Sequence, residues 1–158
     1  MAYTGITGVY SFFTGESNLC TYYPDFSTVY TAAHELAHAA GISREDEANF
    51  IAFLVLAESE EAYFRYAANL NLLQYTLASL YRADKVLYAE LFATLSPKIK
   101  GEFHAYNLAF DAVDGSFARD IAESVNDAYL STMGTEGTVS YSLVVRLGVA
   151  YAEAKYKE

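Results

Sequence analysis

The stretch HELAHAAGISREDEANF, residues 34–50, constrains the fold of this 158-residue chain more than any other part of it. It opens with the pattern H-E-x-x-H, and residues four apart lie one turn above each other on the same face of a helix. His34 and His38 placed in this way can bind one zinc ion together. Glu35 would then stand beside the open coordination position, where it can take a proton from water. The pattern therefore predicts a helix that carries a metal site.

The residues that follow predict a second helix joined to the first by a tight turn. We expect the first helix over about residues 28–40, with Gly41 after its last turn, where a left-handed glycine commonly ends a helix. Ser43 followed three residues later by Asp46 resembles a capping box. It predicts a second helix over about residues 44–57, which carries the acidic part of the motif.

The first 23 residues differ in composition from the rest of the chain. They are rich in Tyr, Thr, Phe, Val and Gly, which is typical of strands, and residues 14–17 predict a turn or bulge between them. From residue 58 onward the apolar spacing is helical almost throughout. The predicted helices there are residues 60–81, 83–95, a helix from Pro97, 117–132 and 139–156. We therefore expect residues 1–158 to form one α+β domain, mainly α, with a short strand layer packed on the active-site helix and a helical bundle after it.

Two histidines alone make a poor catalytic zinc site, because three protein ligands and a water molecule are usual. The metzincin pattern H-E-x-x-H-x-x-G-x-x-H would place a third histidine at position 44, but Arg44 stands there and cannot bind a cation. The nearest carboxylates are those of residues 45–47. Successive helical residues differ by about 100° in direction, so at most one or two of these can face the metal. Glu45 is the preferred third ligand because it shares a face with small and apolar residues, and Glu47 is the alternative.

Charge and composition exclude some partners. The net charge of −10 argues against nucleic acid, because phosphate binding requires clustered Lys and Arg. The longest uncharged run of the helical part, residues 66–81, contains Asn and Gln and is shorter than the roughly 20 apolar residues of a membrane span. We therefore expect no membrane insertion by this chain. Cys20 is the single cysteine and excludes an internal disulfide, and His104 is expected to be a partly exposed residue rather than a ligand.

The chain also resembles a family of uncharacterised bacterial proteins that are regarded as zinc metallopeptidases. The resemblance rests on HELAH with GISREDEANFIAFL, on Tyr10 and residues 13–18, and more weakly on residues 64–66, 126–130 and 140–145. Phe12, Ser17 and Ser142 depart from it, since proline, alanine and glycine are expected there. The resemblance implies a membrane anchor on the N-terminal side, outside this chain, with this domain outside the bilayer. An extracytoplasmic location is compatible with it.

The same resemblance implies a gluzincin-like fold with one Zn²⁺ ion. Gluzincins carry E-x-x-x-D on their second metal helix, where Glu binds zinc and Asp hydrogen-bonds a zinc-bound histidine. Glu45 and Asn49 are similar to this pair, so Asn49 is expected to accept an imidazole N–H through its carbonyl oxygen. A strand above the active-site helix is implied as well, with a peptide substrate antiparallel along its edge. The candidates for this edge are residues 10–18, with Glu16 and Asn18 as contacts, or residues 19–23.

These features together predict a peptidase in which Glu35 accepts a proton from water and delivers it to the leaving amine. Tyr141 is the first candidate for donating a hydrogen bond to the oxyanion, with Arg146 and Arg65 as weaker candidates. A zinc-binding regulatory or sensor domain with little hydrolysis is the alternative, and a hydrolase of non-peptide amides is a third hypothesis. The intact Glu35 favours the peptidase, because a structural zinc site needs no general base.

Overall fold

A hairpin of two short strands precedes a bundle of helices in this computed structural model. The structure describes residues 1–112 and 137–156, apart from the side chains of residues 3, 137–142 and 156. The fold is α+β and mainly α, as the sequence predicts. After a short 3₁₀ helix, Ala2–Thr4, the elements are β1 (Gly8–Ser11), β2 (Glu16–Leu19), α1 (Asp25–Ala39), α2 (Glu45–Ala57), α3 (Ala62–Ala83), α4 (Lys85–Thr94), α5 (Pro97–Asp111) and α6 (Gly137–Tyr156).

Strands β1 and β2 pair antiparallel, with Gly8 opposite Leu19 and Ser11 opposite Glu16. The connecting turn comprises residues 12–15, two residues earlier than the expected turn at residues 14–17. Gly15 has φ +71°, and its N–H donates to the Ser11 carbonyl at 2.7 Å. Because this glycine supplies the left-handed conformation that closes the loop, β2 begins immediately after it.

Both helices of the motif begin differently from the prediction. Helix α1 begins at Asp25 because Pro24, with φ −53°, presents its carbonyl to the N–H groups of Ser27 and Thr28 at 2.9 and 3.1 Å. Helix α2 begins at Glu45 without the capping box that was expected of Ser43 and Asp46, since no side chain caps its N-terminus. The carboxylate of Asp46 pairs with Arg44 instead.

The core lies where α1, α2 and α3 pack on one another. One cluster is built around Phe26, Ala67 and Leu70, and a second around Tyr30, Ala52 and Phe53. The small residues allow the helix axes to approach closely. The face of α2 that the sequence predicts to be buried, with Asn49, Ala52 and Leu56, is indeed buried. The helix α1 is therefore held in the core along one side while its other side lies under the hairpin.

Helix α5 begins at Pro97 as predicted, whereas α3, α4 and α6 begin at residues 62, 85 and 137, each two residues from its predicted start. Asp84 caps α4 by accepting from the N–H groups of Val86 and Leu87, and Ser96 caps α5, in which Pro97 is the first residue. The expected helix at residues 117–132 lies outside the described residues. Among the helices that are described, none is both long enough and apolar enough to cross a membrane.

Candidate metal centre

The two histidines lie on the face of α1 that meets α2. Tyr30, His34 and His38 follow one another at four-residue spacing, so that they form one stripe along the helix. The Nε2 atoms of His34 and His38 lie 3.0 Å apart, and the rings are nearly perpendicular. Both side chains are about nine-tenths buried. The helix geometry alone thus brings two nitrogen ligands together at the end of α1.

The turn after α1 orients the second imidazole. Gly41, with φ +98°, donates its N–H to the carbonyl of His38 at 3.0 Å, and Ile42 donates to the carbonyl of Ala37 at 3.1 Å. These two bonds are the Schellman pattern, which confirms the left-handed glycine predicted there. The turn places the Ile42 carbonyl 2.7 Å from Nδ1 of His38. Because a carbonyl only accepts, Nδ1 carries a proton, which leaves Nε2 as the ring nitrogen that would bind a metal.

Glu45, the first residue of α2, closes the site. Its carboxylate oxygens lie 3.1 Å from Nε2 of His34 and 3.5 Å from Nε2 of His38. Burial raises the pKa of this carboxyl, but the hydrogen bonds from the two histidines outweigh burial and hold the pKa at about 2. The hydrogen bond to Glu45 in turn raises the pKa of His38. The carboxylate therefore stays charged at neutral pH and faces both imidazoles.

Arg44 decides which acidic residue faces the histidines. Its Nε and one terminal nitrogen donate to the two oxygens of the buried Asp46 at 3.2 and 2.9 Å. The same guanidinium lies 3.4 Å from the carboxylate of Glu47, which is more than half exposed. The structure thus brings Glu45 to the histidine pair and turns Asp46 and Glu47 away from it. Of the two candidates left open by the sequence, it favours Glu45 over Glu47.

The three groups fit a zinc ion in chemistry and in spacing. Zinc bonds of about 2.0–2.2 Å at tetrahedral angles would hold the ligand atoms roughly 3.3 Å apart. The distances between His34, His38 and Glu45 are 3.0, 3.1 and 3.5 Å. Within the described residues, this is the one group of three or more potential ligands that could hold a metal ion. Two imidazoles and one carboxylate suit zinc and leave its fourth position open.

Glu35 lies beside the histidine pair on α1, with its carboxyl under the hairpin. A Cβ atom built on Gly8 of β1 would lie 2.6 Å from its Oε1 atom, so the strand backbone touches the carboxyl. Burial raises the pKa of Glu35 most, whereas the two histidines and the backbone amide of Tyr10 lower it by a smaller amount. The residual exposure of Glu35 is 5%. A raised pKa beside a metal site is characteristic of a general acid or base.

The register of the hairpin shows which strand edge faces this carboxyl. The N–H of Cys20 donates to the carbonyl of Thr7 at 2.8 Å, so these two residues form a hydrogen-bonded pair. Hydrogen-bonded and non-hydrogen-bonded pairs alternate along an antiparallel ladder, and Gly8 and Tyr10 therefore belong to non-hydrogen-bonded pairs. The N–H and C=O groups of Gly8 and Tyr10 therefore point away from β2, toward Glu35. The edge of β1 faces the candidate site.

This register places the two expected substrate contacts of β2 on the outer face of the hairpin. Ser17 of β2 donates its hydroxyl to the carbonyl of Glu35 at 3.4 Å, so its face of the strand lies on α1. Side chains alternate along a strand, and Glu16 and Asn18 consequently point to the opposite face, where they are exposed. They do not face the histidines, and the free edge at the site belongs to β1.

Asn49 also differs from the expectation. Its amide nitrogen donates to the backbone carbonyl of Glu45 at 2.8 Å, and its carbonyl oxygen accepts from the hydroxyl of Tyr75 at 3.1 Å. The side chain of Asn49 thus bonds to the backbone of α2 and to α3 rather than to the expected imidazole. Nδ1 of His34 is buried and makes no hydrogen bond within the described part of the chain.

The remaining candidates do not join the site. Arg65 donates to the carbonyls of Ser59 and Glu60 after the end of α2, roughly 20 Å from Glu45 at 1.5 Å per residue. Arg146 and His104 are exposed on α6 and α5. Tyr141 lies in α6, but its side chain is outside the described residues, so its role stays a prediction.

Three contributions escaped the sequence analysis. Gly8 allows the strand to touch Glu35. Arg44 pairs with the carboxylates of Asp46 and Glu47. Tyr30 donates a hydrogen bond to α2 one turn before His34. The Tyr30 contact had a signal, because this residue shares the stripe of the two histidines. The roles of Gly8 and Arg44 had none, because they depend on contacts between separate elements.

Comparison with protein families gives one finding. The family model of DUF3810, described as a protein of unknown function, matches residues 1–149, and the chain belongs to this family. No curated protein and no solved structure matches the chain.

Proposed function

We propose that this member of the DUF3810 family is a zinc-dependent peptidase, with one zinc ion bound by His34, His38 and Glu45 and with Glu35 as its general base. The observation that carries the proposal is the convergence of three ligand groups, each pair within 3.5 Å, next to a buried glutamate. A bound zinc ion would supply a Lewis acid and a water molecule that loses its proton near pH 7.

Glu35 is suited to move that proton. Burial raises the pKa of its carboxyl, which brings it closer to the range in which one group can both accept and return a proton. The backbone amide of Tyr10 favours the charged form that accepts the proton first. Glu35 would then deliver the proton to the leaving amine. Ile42 meanwhile holds the proton of His38 on Nδ1, which keeps Nε2 available as a ligand.

The edge of β1 favours a peptide over a small amide. The N–H of Tyr10 bonds to Glu35, so the outward backbone groups left for a substrate are the N–H and C=O of Gly8 and the C=O of Tyr10, one donor and two acceptors in a strand conformation. An extended peptide can pair with such an edge in antiparallel orientation. This arrangement would hold a peptide backbone beside Glu35, whereas a small substrate would require an enclosed pocket.

A zinc-binding regulatory domain without hydrolysis is the second candidate. The observation in its favour is the 5% exposure of Glu35, because a general base covered by the hairpin suits a latent site. Under this alternative, zinc would be retained and peptides would not be cleaved.

The test compares zinc content and cleavage of a peptide library for the wild type, Glu35→Gln and Glu47→Gln. The peptidase predicts one zinc ion in all three proteins, cleavage by the wild type and Glu47→Gln, and a loss of cleavage of at least about 100-fold in Glu35→Gln. The exposed Glu47 controls for the loss of one negative charge near the site. Zinc without cleavage in any protein would favour the regulatory domain, and a wild type without zinc would refute both functions.

A further inference from the structure

Helices α1 and α2 are joined at two successive levels. At the upper level, His34 and His38 meet Glu45. At the level below, the hydroxyl of Tyr30 donates to the backbone carbonyl of Asn49 at 2.6 Å. Tyr30 precedes His34 by one turn, and Asn49 follows Glu45 by one turn. The lower level therefore sets the axial position of α2 against α1 one turn away from the candidate metal site.

Asn49 links this lower level to the ligand itself. Its amide nitrogen donates to the backbone carbonyl of Glu45 at 2.8 Å, and its carbonyl oxygen accepts from Tyr75 of α3 at 3.1 Å. Asn49 and Tyr30 are 7% and 3% exposed, so that water does not compete for these bonds. Burial also raises the pKa of Tyr30, which remains a hydrogen-bond donor throughout the neutral range.

Glu45 needs such support because it is the first residue of its helix. No side chain caps the N-terminus of α2. Terminal residues of helices fray, and a metal site tolerates little displacement of a ligand. The bond from the Asn49 side chain to the Glu45 carbonyl restrains this end, because Tyr75 of α3 holds that side chain and Tyr30 of α1 holds the backbone carbonyl of the same residue.

We propose that Tyr30, Asn49 and Tyr75 are positioning residues that hold Glu45 at the histidine pair and thereby set the affinity for zinc. This inference rests on the proposed zinc site. It assigns to Asn49 a role in placing the ligand helix rather than in orienting an imidazole. It also assigns a role to Tyr30, which lies on the same helix stripe as the two histidines.

The experiment measures Zn²⁺ affinity by competition with a chelating dye, for the wild type, Asn49→Ala and Tyr75→Phe. Loss of an outer partner of a ligand typically weakens metal binding by 10–100-fold, and we expect about a 10-fold loss for Asn49→Ala and a smaller one for Tyr75→Phe. The visible absorption of bound Co²⁺ should change as well, since it reports the ligand set and its geometry. Tyr75→Phe removes one oxygen atom only and carries the test if Asn49→Ala does not fold.

Asn71→Ala is the matched control. Asn71 of α3 is also 7% exposed, and its amide nitrogen likewise donates to the carbonyl four residues earlier, that of Ala67, at 2.8 Å. Its second bond goes to the carbonyl of Phe26, far along α1 from the histidines. We expect Asn71→Ala to lower the unfolding temperature of the metal-free protein about as much as Asn49→Ala and to leave Zn²⁺ affinity unchanged.

A second comparison separates positioning from general destabilisation. In a Glu45→Ala background the group to be positioned is gone, so adding Asn49→Ala should weaken the remaining Zn²⁺ binding by less than about 2-fold. Equal losses with and without Glu45, or unchanged affinity in Asn49→Ala and Tyr75→Phe, would overturn the inference and leave the zinc site intact. A wild type that binds no Zn²⁺ would overturn the zinc site and the inference together.

Discussion

Gly8 of β1 lies against the carboxyl of Glu35, so closely that a Cβ atom on Gly8 would stand 2.6 Å from Oε1. It would also overlap the side-chain methyl of Thr31, one turn earlier on α1. The approach covers the glutamate and presents the backbone of β1 to the candidate metal centre. The position of the hairpin therefore determines the environment of the proposed base.

Gly8→Ala is predicted to impair catalysis without removing the metal ligands. Its methyl group has no space between Thr31 and Glu35, and such overpacking typically costs about 1–3 kcal/mol of unfolding free energy. We expect urea denaturation to show that loss, peptide cleavage to fall at least about 10-fold, and Zn²⁺ binding to persist. Gly101→Ala on α5 is the control, since no atom lies within 4 Å of its added Cβ, and should be neutral or stabilising. Full activity and stability of Gly8→Ala would contradict the close packing.

Glu45→Ala and Glu47→Ala are predicted to separate the ligand from its neighbour. Loss of a residue that only supports a metal ligand costs about 10–100-fold in metal affinity. Because Glu45 is the proposed ligand itself, we expect its loss to cost more than about 100-fold. Glu47 is exposed and lies beside Arg44, so its loss should change Zn²⁺ affinity by less than about 2-fold. Calorimetric titration with Zn²⁺ measures both. The reverse order of affinities would make Glu47 the ligand.

Arg44→Ala is predicted to destabilise the start of α2. It removes the two hydrogen bonds that Arg44 donates to the carboxylate of Asp46, a residue that is 4% exposed. An unsatisfied buried polar group costs about 1–3 kcal/mol, which urea denaturation can measure. Arg44→Lys keeps the charge but not the two-pronged geometry, so an intermediate value is expected. Arg82→Ala, at an exposed position of α3, should stay within about 0.5 kcal/mol of the wild type.

The contact between α2 and α6 is predicted to depend on pH. Lys155 and Tyr151 of α6 donate hydrogen bonds to the carboxylate of Glu58. Both bonds lower the pKa of Glu58, and the bond from Lys155 has the larger effect. A lowered pKa in the folded state means that this contribution is complete above the unfolded pKa of about 4.3 and is lost as the pH falls through the folded value. Wild type and Lys155→Ala should therefore differ in unfolding free energy at pH 7, and the difference should shrink below pH 4.3. Because the groups are exposed, added salt should also reduce it. A difference that is constant from pH 7 to pH 3 would exclude this ion pair as its cause.

The local parts of the candidate site were predictable because neighbours in sequence determine them. A four-residue spacing places His34 and His38 on one helix face whatever surrounds the helix. Gly41 ends that helix because the turn requires a left-handed residue, and the turn brings the Ile42 carbonyl to His38. The mainly helical fold followed in the same way from apolar periodicity and from capping residues such as Ser96.

The choices between partners were decided only when separate elements packed together. Glu45 and Glu47 are both possible ligands in the sequence, and the pairing of Arg44 with Asp46 and Glu47 leaves Glu45 for the histidines. Asn49 could accept from an imidazole or from another donor, and Tyr75 of α3 occupies its oxygen.

The sequence by itself determined that two imidazoles and a glutamate lie together on α1, because helical geometry is local. Only the tertiary structure decided that Glu35 is buried and that β1 supplies the edge beside it. Burial and the electrostatics that follow from it depend on the hairpin, which is remote from Glu35 in sequence. A pattern of residue types does not encode such an approach, since it arises from the packing of a glycine backbone against a helix.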